Sequence, residues 1–368
     1  MKPLNKPFKR NYFYLIDVNH IKINILKGHY MMKKLFSKLS CGLLMISMLA
    51  ACGSQESATT GSEAEKSVKI IAAHVTDEGS PYQVGMEKFK EVVEAETNGS
   101  VTVEIHPNGE LGGNEDELVQ KMATGSVDVI VSSPGFMAQT APEVDFFAMP
   151  YMFASYDHWN TVVDSEVGQA VSSKIEEKTD FKVLGYWSAG IRNYYGQKPV
   201  EKPADLKNVK VRVQNSPVVK DTWSAFGAQP AHVAWNELYQ ALQNGVVDAA
   251  ENDFTNYFLS KQYEVAPKMS LTEHDVATRL FFMTSTKFEN LSKEQQEAVI
   301  KAGNEASKAE READLKLGEE YKQKLLDEGV EINEVEKTPF VESTEEIRVQ
   351  TAEKLGMSEL YEKVKETK

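Results

Sequence analysis

Cysteine is almost missing from this 368-residue chain: there are two, Cys41 and Cys52, and both fall in the first 52 residues. A domain built from the rest has no disulfide and no thiol chemistry, so its apolar core must hold it together. Basic charge is scarce beyond the leader as well. The first 52 residues hold nine of the 41 lysines and arginines but one of the 55 acids, Asp17, which leaves 32 basic against 54 acidic residues. That balance argues against nucleic acid as a partner, because phosphate backbones are held by clustered Lys and Arg. No segment after the leader reaches the ~18 consecutive apolar residues that a membrane span needs. Catalytic signatures are missing too. There is no G-x-S-x-G elbow, no H-E-x-x-H helix and no Walker loop, and seven histidines are scattered without metal-ligand spacing. No metal and no cofactor is expected. A secreted glycoside hydrolase would use paired carboxylates, and nothing here marks two acids as such a pair.

What is present begins with the leader. Met31-Met32-Lys33-Lys34 opens a basic n-region, and Leu35 to Ala51 is apolar but short for a permanent span. Leu49-Ala50-Ala51-Cys52 then supplies a small-residue cleavage site. It matches the bacterial lipobox, so Cys52 is the expected lipidation site and a lipid anchor the expected tie to the membrane. Residues 1–30 have no evident role, which points to translation starting at Met31 or Met32. Residues 53–66 are polar and read as a flexible tether. Roughly 300 residues remain, enough for two lobes around their own cores.

Those residues alternate strand and helix patterns. Val68–His74 is a β-rich run, and Ser80-Pro81 opens a helix with Tyr82, Met86, Phe89 and Val93 at helical spacing. Val101, Val103 and Ile105 alternate as in a strand. Val127–Val131, Phe181–Trp187, Val209–Val213 and Leu280–Thr284 are further strands, and Trp159–Lys178 reads as one helix. Ser292 with Gln295 forms a capping box at the head of a long charged helix over 292–328. The order predicts an α/β fold with helices flanking a sheet. One internal similarity stands out. ELVQKMATGSVDVIVSS (117–133) and ELYQALQNGVVDAAEND (237–253) match at Glu117/Glu237, Leu118/Leu238, Gln120/Gln240, Gly125/Gly245, Val127/Val247 and Asp128/Asp248. Each is a helix, a Gly cap and a strand with a polar end. The bland reading is a common helix–turn–strand idiom. The sharper one is two similar lobes whose polar strand ends face across a cleft.

The second copy lies within VKVRVQNSPVVKDTWSAFGAQPAHVAWNELYQALQNGVVDAAEND (209–253). An arginine on one strand, Arg212, and an amide at the tip of another, Asn252, suit a small carboxylate. This segment resembles the substrate-binding proteins of tripartite ATP-independent (TRAP) transporters, DctP type. That family shows a G-x-K-x-R-V strand, a G-A-x-P turn, an E-x-Y-x-A-L-Q helix and G-x-V-D-G-x-E-N. Asn208 and Ala249 stand where Gly is usual. HPNGELGGNEDELVQKMATGSVDV, FFAMPYMF and YEVAPKMSLTEH extend the resemblance over residues 67–350.

The resemblance implies a two-lobed, periplasmic-binding-protein-like clamshell with a long helix bridging the lobes. The expected division is residues 67–189 with 278–317 as lobe I, and 190–277 with 318–368 as lobe II. It further implies capture of an organic acid outside the membrane and delivery to a small and a large integral membrane subunit. Arg212 takes the position that pairs with the carboxylate, Arg192 that of a second arginine, and Asn252 that of the amide in E-N. Trp235 is a pocket wall or a lobe-core aromatic. Asn215 reaches the ligand or caps the helix begun at Ser216. His74, Glu78 and Ser132 are the expected contributions of the opposite lobe. SLTEH and the E-N-D-F-x-N-Y run resemble the sugar-acid branch, which makes a hexuronate such as glucuronate or galacturonate the expected ligand. A C4-dicarboxylate or another carboxylic acid is the alternative, as is a binding lipoprotein serving an ATP-driven importer.

Overall fold

The computed structural model describes residues 67–138 and 141–367; the leader, Cys52 and the tether lie outside the described residues. β1 (Val68–Ala73), α1 (Pro81–Glu96), β2 (Val101–His106), α2 (Glu115–Ala123) and β3 (Val129–Ser132) come first. Helices α3 (Tyr156–Val163) and α4 (Glu166–Lys178) lead into a 16-residue strand, β4 (Phe181–Gly196). The alternation resumes with β5 (Lys210–Val213), α5 (Pro217–Ala225), β6 (Gln229–His232), α6 (Leu238–Gln243), β7 (Ala249–Asn252) and α7 (Phe254–Leu259). A 17-residue strand, β8 (Lys268–Thr284), precedes α8 (Ser285–Glu289) and the 35-residue α9 (Lys293–Asp327). β9 (Glu331–Glu334), α10 (Thr338–Ser343), α11 (Glu345–Lys354) and α12 (Ser358–Glu366) close the chain. Among the described residues no helix is long and apolar enough to cross a membrane.

The strands form one sheet in the order β2-β1-β3-β8-β4-β7-β5-β6, with β9 added to β8. The order reads alike from either end. In each half a parallel pair, β1 with β2 or β5 with β6, continues into the strand of the sequence repeat, β3 or β7, and then into a long crossing strand. The crossing strands β4 and β8 run antiparallel from Phe181 opposite Thr284 to Gly196 opposite Lys268. β8 carries β3 on its C-terminal part, and β4 carries β7 on its own. Two α/β lobes are thus joined by two strands that belong to both. The long helix α9, opened by the Ser292–Gln295 capping box, packs on α1, on β4 and on α7, and so touches both lobes.

The repeat has a physical cause. Gly125 and Gly245 end their helices at φ of 71° and 67°, where a residue with a Cβ is strained. The aspartate three residues on does the same work in both copies. Asp128 accepts the Ile71 N–H and donates its own N–H to the Ile71 carbonyl; Asp248 does both with Lys210. Each copy therefore docks its strand on its parallel neighbour.

Three expectations need correction. Trp159–Lys178 is two helices, because Ser165 caps α4 by accepting the Val167 N–H at 3.1 Å. The strands expected over 181–187 and 280–284 are the ends of much longer ones, interrupted by bulges. Only the end of the C-terminal region, expected whole in lobe II, packs on the first lobe: Ala352, Met357, Tyr361 and Val364 enter the core formed by Trp159, Val162 and Val171, whereas Phe340 of α10 stays with Trp223 and Phe226 in the second. The α12 residues Tyr361 and Val364 lie three apart, which puts both on one helix face toward that core.

Candidate functional site

The carboxyl ends of β1, β5 and β7 converge on a cavity lined by Val75, Thr76, Tyr82, Glu115, Arg192, Arg212, Gln214, Trp235, Asn252, Asn256 and Arg279. Ligands of open α/β sheets bind at this end of the strands. Arg212, near the end of β5, is 3% exposed. Its Nε donates to the Val233 carbonyl at 3.0 Å, and its Cζ lies 5.9 Å from the centre of the Trp235 ring. Its two Nη groups donate to none of the described residues, so its fork is fixed at the root and unpaired at the tip. Burial pulls its pKa below the ordinary value, against the field of Glu251.

Arg192 is placed differently. Nε and Nη2 grip both carboxylate oxygens of Glu251, Nη2 also donates to the Glu251 carbonyl at 2.8 Å, and Nη1 donates to Asn252 Oδ1 at 2.8 Å. Of the five N–H groups of a guanidinium, one is left for the cavity. Arg192 and Glu251 are 2% and 1% exposed, and His274 lies 3.4 Å from the same carboxylate. Burial alone would push the Glu251 carboxyl up, but the charge of Arg192 overrides it and holds it well below the usual range. Asn252 accepts from Arg192 and from the Asp253 N–H through Oδ1. That fixes its amide with Nδ2 directed away from both, and Nδ2 donates to none of the described residues.

The other expected residues divide. Trp235, half-buried in a short turn after β6, walls the cavity and also packs on the second lobe's core. Ser132 is buried but lies behind the cavity, donating to Glu115 Oε2 at 3.3 Å. His74 does not line the cavity. Its Nδ1 meets Thr76 Oγ1 at 3.0 Å and its Nε2 meets Gln83 Oε1 at 2.9 Å, so both ring nitrogens are used, and burial lowers its pKa. Glu78 is exposed and accepts from Asn108. Asn215 is exposed and neither lines the cavity nor caps α5, which Ser216 caps by accepting from Val219 N.

Seven of the eleven lining residues escaped the sequence reading, and three of these, Glu115, Arg279 and Gln214, are central to the site. Glu115 begins α2, whose N-cap is Asn114; its Oε2 takes the Ser133 N–H at 2.8 Å as well as the Ser132 hydroxyl. Burial raises its pKa, and Arg279 partly opposes this. Arg279 donates through Nε to the Tyr82 hydroxyl at 2.8 Å and through Nη1 to the Thr278 carbonyl at 3.2 Å, which leaves three N–H groups. Its signal was available, since an arginine inside the apolar strand TRLFFMT has no place in a core without a task. Gln214 reaches across to the other lobe, where Ser133 donates to its Oε1.

Fold and cavity together define a two-lobed binding protein with a buried, arginine-rich pocket between its lobes. The chain belongs to the DctP family, the bacterial extracellular solute-binding proteins of family 7, whose profile matches residues 72–355. It is 32% identical over 304 residues to a solute-binding protein of Sulfitobacter sp. strain NAS-14.1, covering 82% of this chain and 92% of that one. The fold is similar to a TRAP periplasmic solute-binding protein of Roseobacter denitrificans with bound β-D-glucuronate, at TM-score 0.78 and 28% identity over 82% of this chain and 100% of that one. A TRAP solute-binding protein of Sulfitobacter sp. with bound α-D-taluronate is similar at TM-score 0.78 and 33% identity, over 81% of this chain and 97% of that one.

Proposed function

We propose that this protein captures a hexuronate, such as glucuronate or galacturonate, and hands it unaltered to the membrane subunits of a TRAP transporter. The carboxylate binds Arg212, with the Asn252 amide and the remaining N–H of Arg192 beside it. The observation that carries this reading is the state of Arg212: buried, anchored through Nε, with both Nη groups unpaired by any of the described residues. A planar fork so held accepts a carboxylate through two parallel hydrogen bonds. Hydroxyls of the sugar ring then meet Glu115, Thr76, Tyr82 and Arg279 on the opposite lobe. The uronates bound by the structural relatives support the ligand class.

The same reading assigns the cleft to an interface between lobe I, 67–189 with 278–317 and the last helix α12, and lobe II, 190–277 with the end of α9, β9 and α10, while α11 touches both. It assigns a lipid anchor to Cys52, from the LAAC sequence; metabolic labelling with a palmitate analogue, lost in Cys52→Ser, reads the anchor directly. Calorimetric titration with uronates, aldonates and C4-dicarboxylates tests the ligand. Uronates bind most tightly, and Arg212→Met weakens them at least about 100-fold, as expected when a desolvated charge pair loses one partner. Preference for dicarboxylates would overturn the uronate reading, and unchanged affinity in Arg212→Met the carboxylate site.

A further inference from the structure

The lining of the cavity is unbalanced in a way that the carboxylate site alone does not explain. Arg192 is neutralised by Glu251. Arg212 and Arg279 remain, against one acid, Glu115. Among the described residues no arginine or lysine lies within ion-pair distance of Glu115. Its Oε2 is held by Ser132 and Ser133, while Oε1 accepts from none of the described residues on the cavity side. Counted over the lining residues and Glu251, that is one excess positive charge, with the buried Asp253 and Asp275 behind Arg192. A monoanion brings that count to zero, and a dianion leaves a buried negative charge next to a fixed carboxylate.

We propose that Glu115 is the specificity-determining residue of this cavity. Its free oxygen accepts a hydroxyl of the bound acid, and its charge rejects any acid with a second carboxylate at that end. This rests on the proposed function and sharpens it to polyhydroxy monocarboxylates. The position is built rather than incidental. Asn114 caps α2 and fixes the first turn, and the end of β3 supplies the two donors that hold Oε2. The carboxylate is thereby presented from the first lobe to a ligand whose acid group is held by the second. A hydroxyl donating to a charged acceptor in a dry site strengthens binding by about 10-fold or more, and a like charge there weakens it at least as much.

The test pairs D-gluconate with D-glucarate, which differ only in a terminal hydroxymethyl against a carboxylate, alongside D-glucuronate. Wild-type protein prefers the monoanions over glucarate by at least about 30-fold. In Glu115→Gln, whose amide oxygen can still take the Ser133 N–H, glucuronate binds about 10-fold more weakly. The gluconate-over-glucarate preference falls at least as far in that variant. A folded Glu115→Gln protein with an unchanged preference overturns the role of Glu115, as does wild-type protein that binds glucarate as well as gluconate. The second comparison needs no variant and decides alone if Glu115→Gln does not fold. Wild-type protein that binds glucuronate while failing the gluconate–glucarate comparison overturns this inference alone. Wild-type protein that binds no sugar acid overturns the uronate reading as well.

Discussion

Of the three arginines that line the cavity, Arg192 and Arg212 carry opposite burdens. Arg192 is spent on Glu251, Asn252 and a backbone carbonyl, and its loss strands a carboxylate that is 1% exposed. Arg192→Ala should therefore cost about 3–5 kcal/mol of folding stability, with Arg192→Ala/Glu251→Ala recovering part of it, as read by urea denaturation. Arg212 holds its charge buried with one backbone partner. Without ligand it is a liability, and Arg212→Met should raise stability by about 1–2 kcal/mol in the variant that has lost binding. If both variants destabilise equally, the division of labour between the two arginines is wrong.

At the scale of elements, the glycines of α9 separate packing from propensity. A Cβ on Gly303 would lie 2.6 Å from the Leu184 carbonyl oxygen and 3.1 Å from Leu184 Cβ, so the helix meets β4 there without room to spare. Gly318 has nothing within 4 Å of the same atom. Gly303→Ala should cost about 1–3 kcal/mol by forcing helix and strand apart. Gly318→Ala should gain about 0.5–1 kcal/mol, because alanine loses less entropy in a helix. Thermal unfolding of the two variants distinguishes these signs. The helix meets β4 next to its bulge between Ser188 and Ile191, where Gly190 has φ of 66°. There Glu310 accepts the Ser188 N–H at 3.0 Å and Asp314 accepts the Gly190 N–H at 3.1 Å. Arg311, between them, donates to the Tyr186 carbonyl through Nε and Nη2.

For the whole molecule these buried acids set the response to pH. Burial pushes Asp314 up to about 7, with the charge of Asp253 adding to it, and pushes Asp145 and Asp275 up to about 6. Each binds a proton more tightly folded than unfolded. Stability therefore falls as pH rises from about 4 to about 7. Glu251 has the opposite sign, since its depressed pKa contributes stability that is lost as pH drops below the usual carboxylate range. Mildly acidic pH should be optimal. Asp314→Asn, which can keep accepting the Gly190 N–H, should flatten the slope between pH 4 and pH 7 by up to about 4 kcal/mol. Urea midpoints across that range measure it, and an unchanged slope would show that Asp314 is not the group responsible.

The sequence by itself determined the α/β alternation, the repeat and the placing of Arg212 and Asn252 at strand ends. Those features are local: helix periodicity, a Gly cap, and an arginine and an amide at strand ends. Arg212, Trp235 and Asn252 were legible for that reason, each within or just after a recognisable element. What the tertiary structure decided depends on neighbours far along the chain. Glu251, 59 residues from Arg192, makes that arginine a structural one. Gln83 and Thr76 occupy both nitrogens of His74, and residues 181–196 and 268–284 extend because each is the other's partner. Glu115 became a candidate for reading the ligand only when α2 was set against β3 and Arg212 across the cavity. Spacing along a chain carries periodicity, whereas the balance of buried charge exists only once the lobes meet.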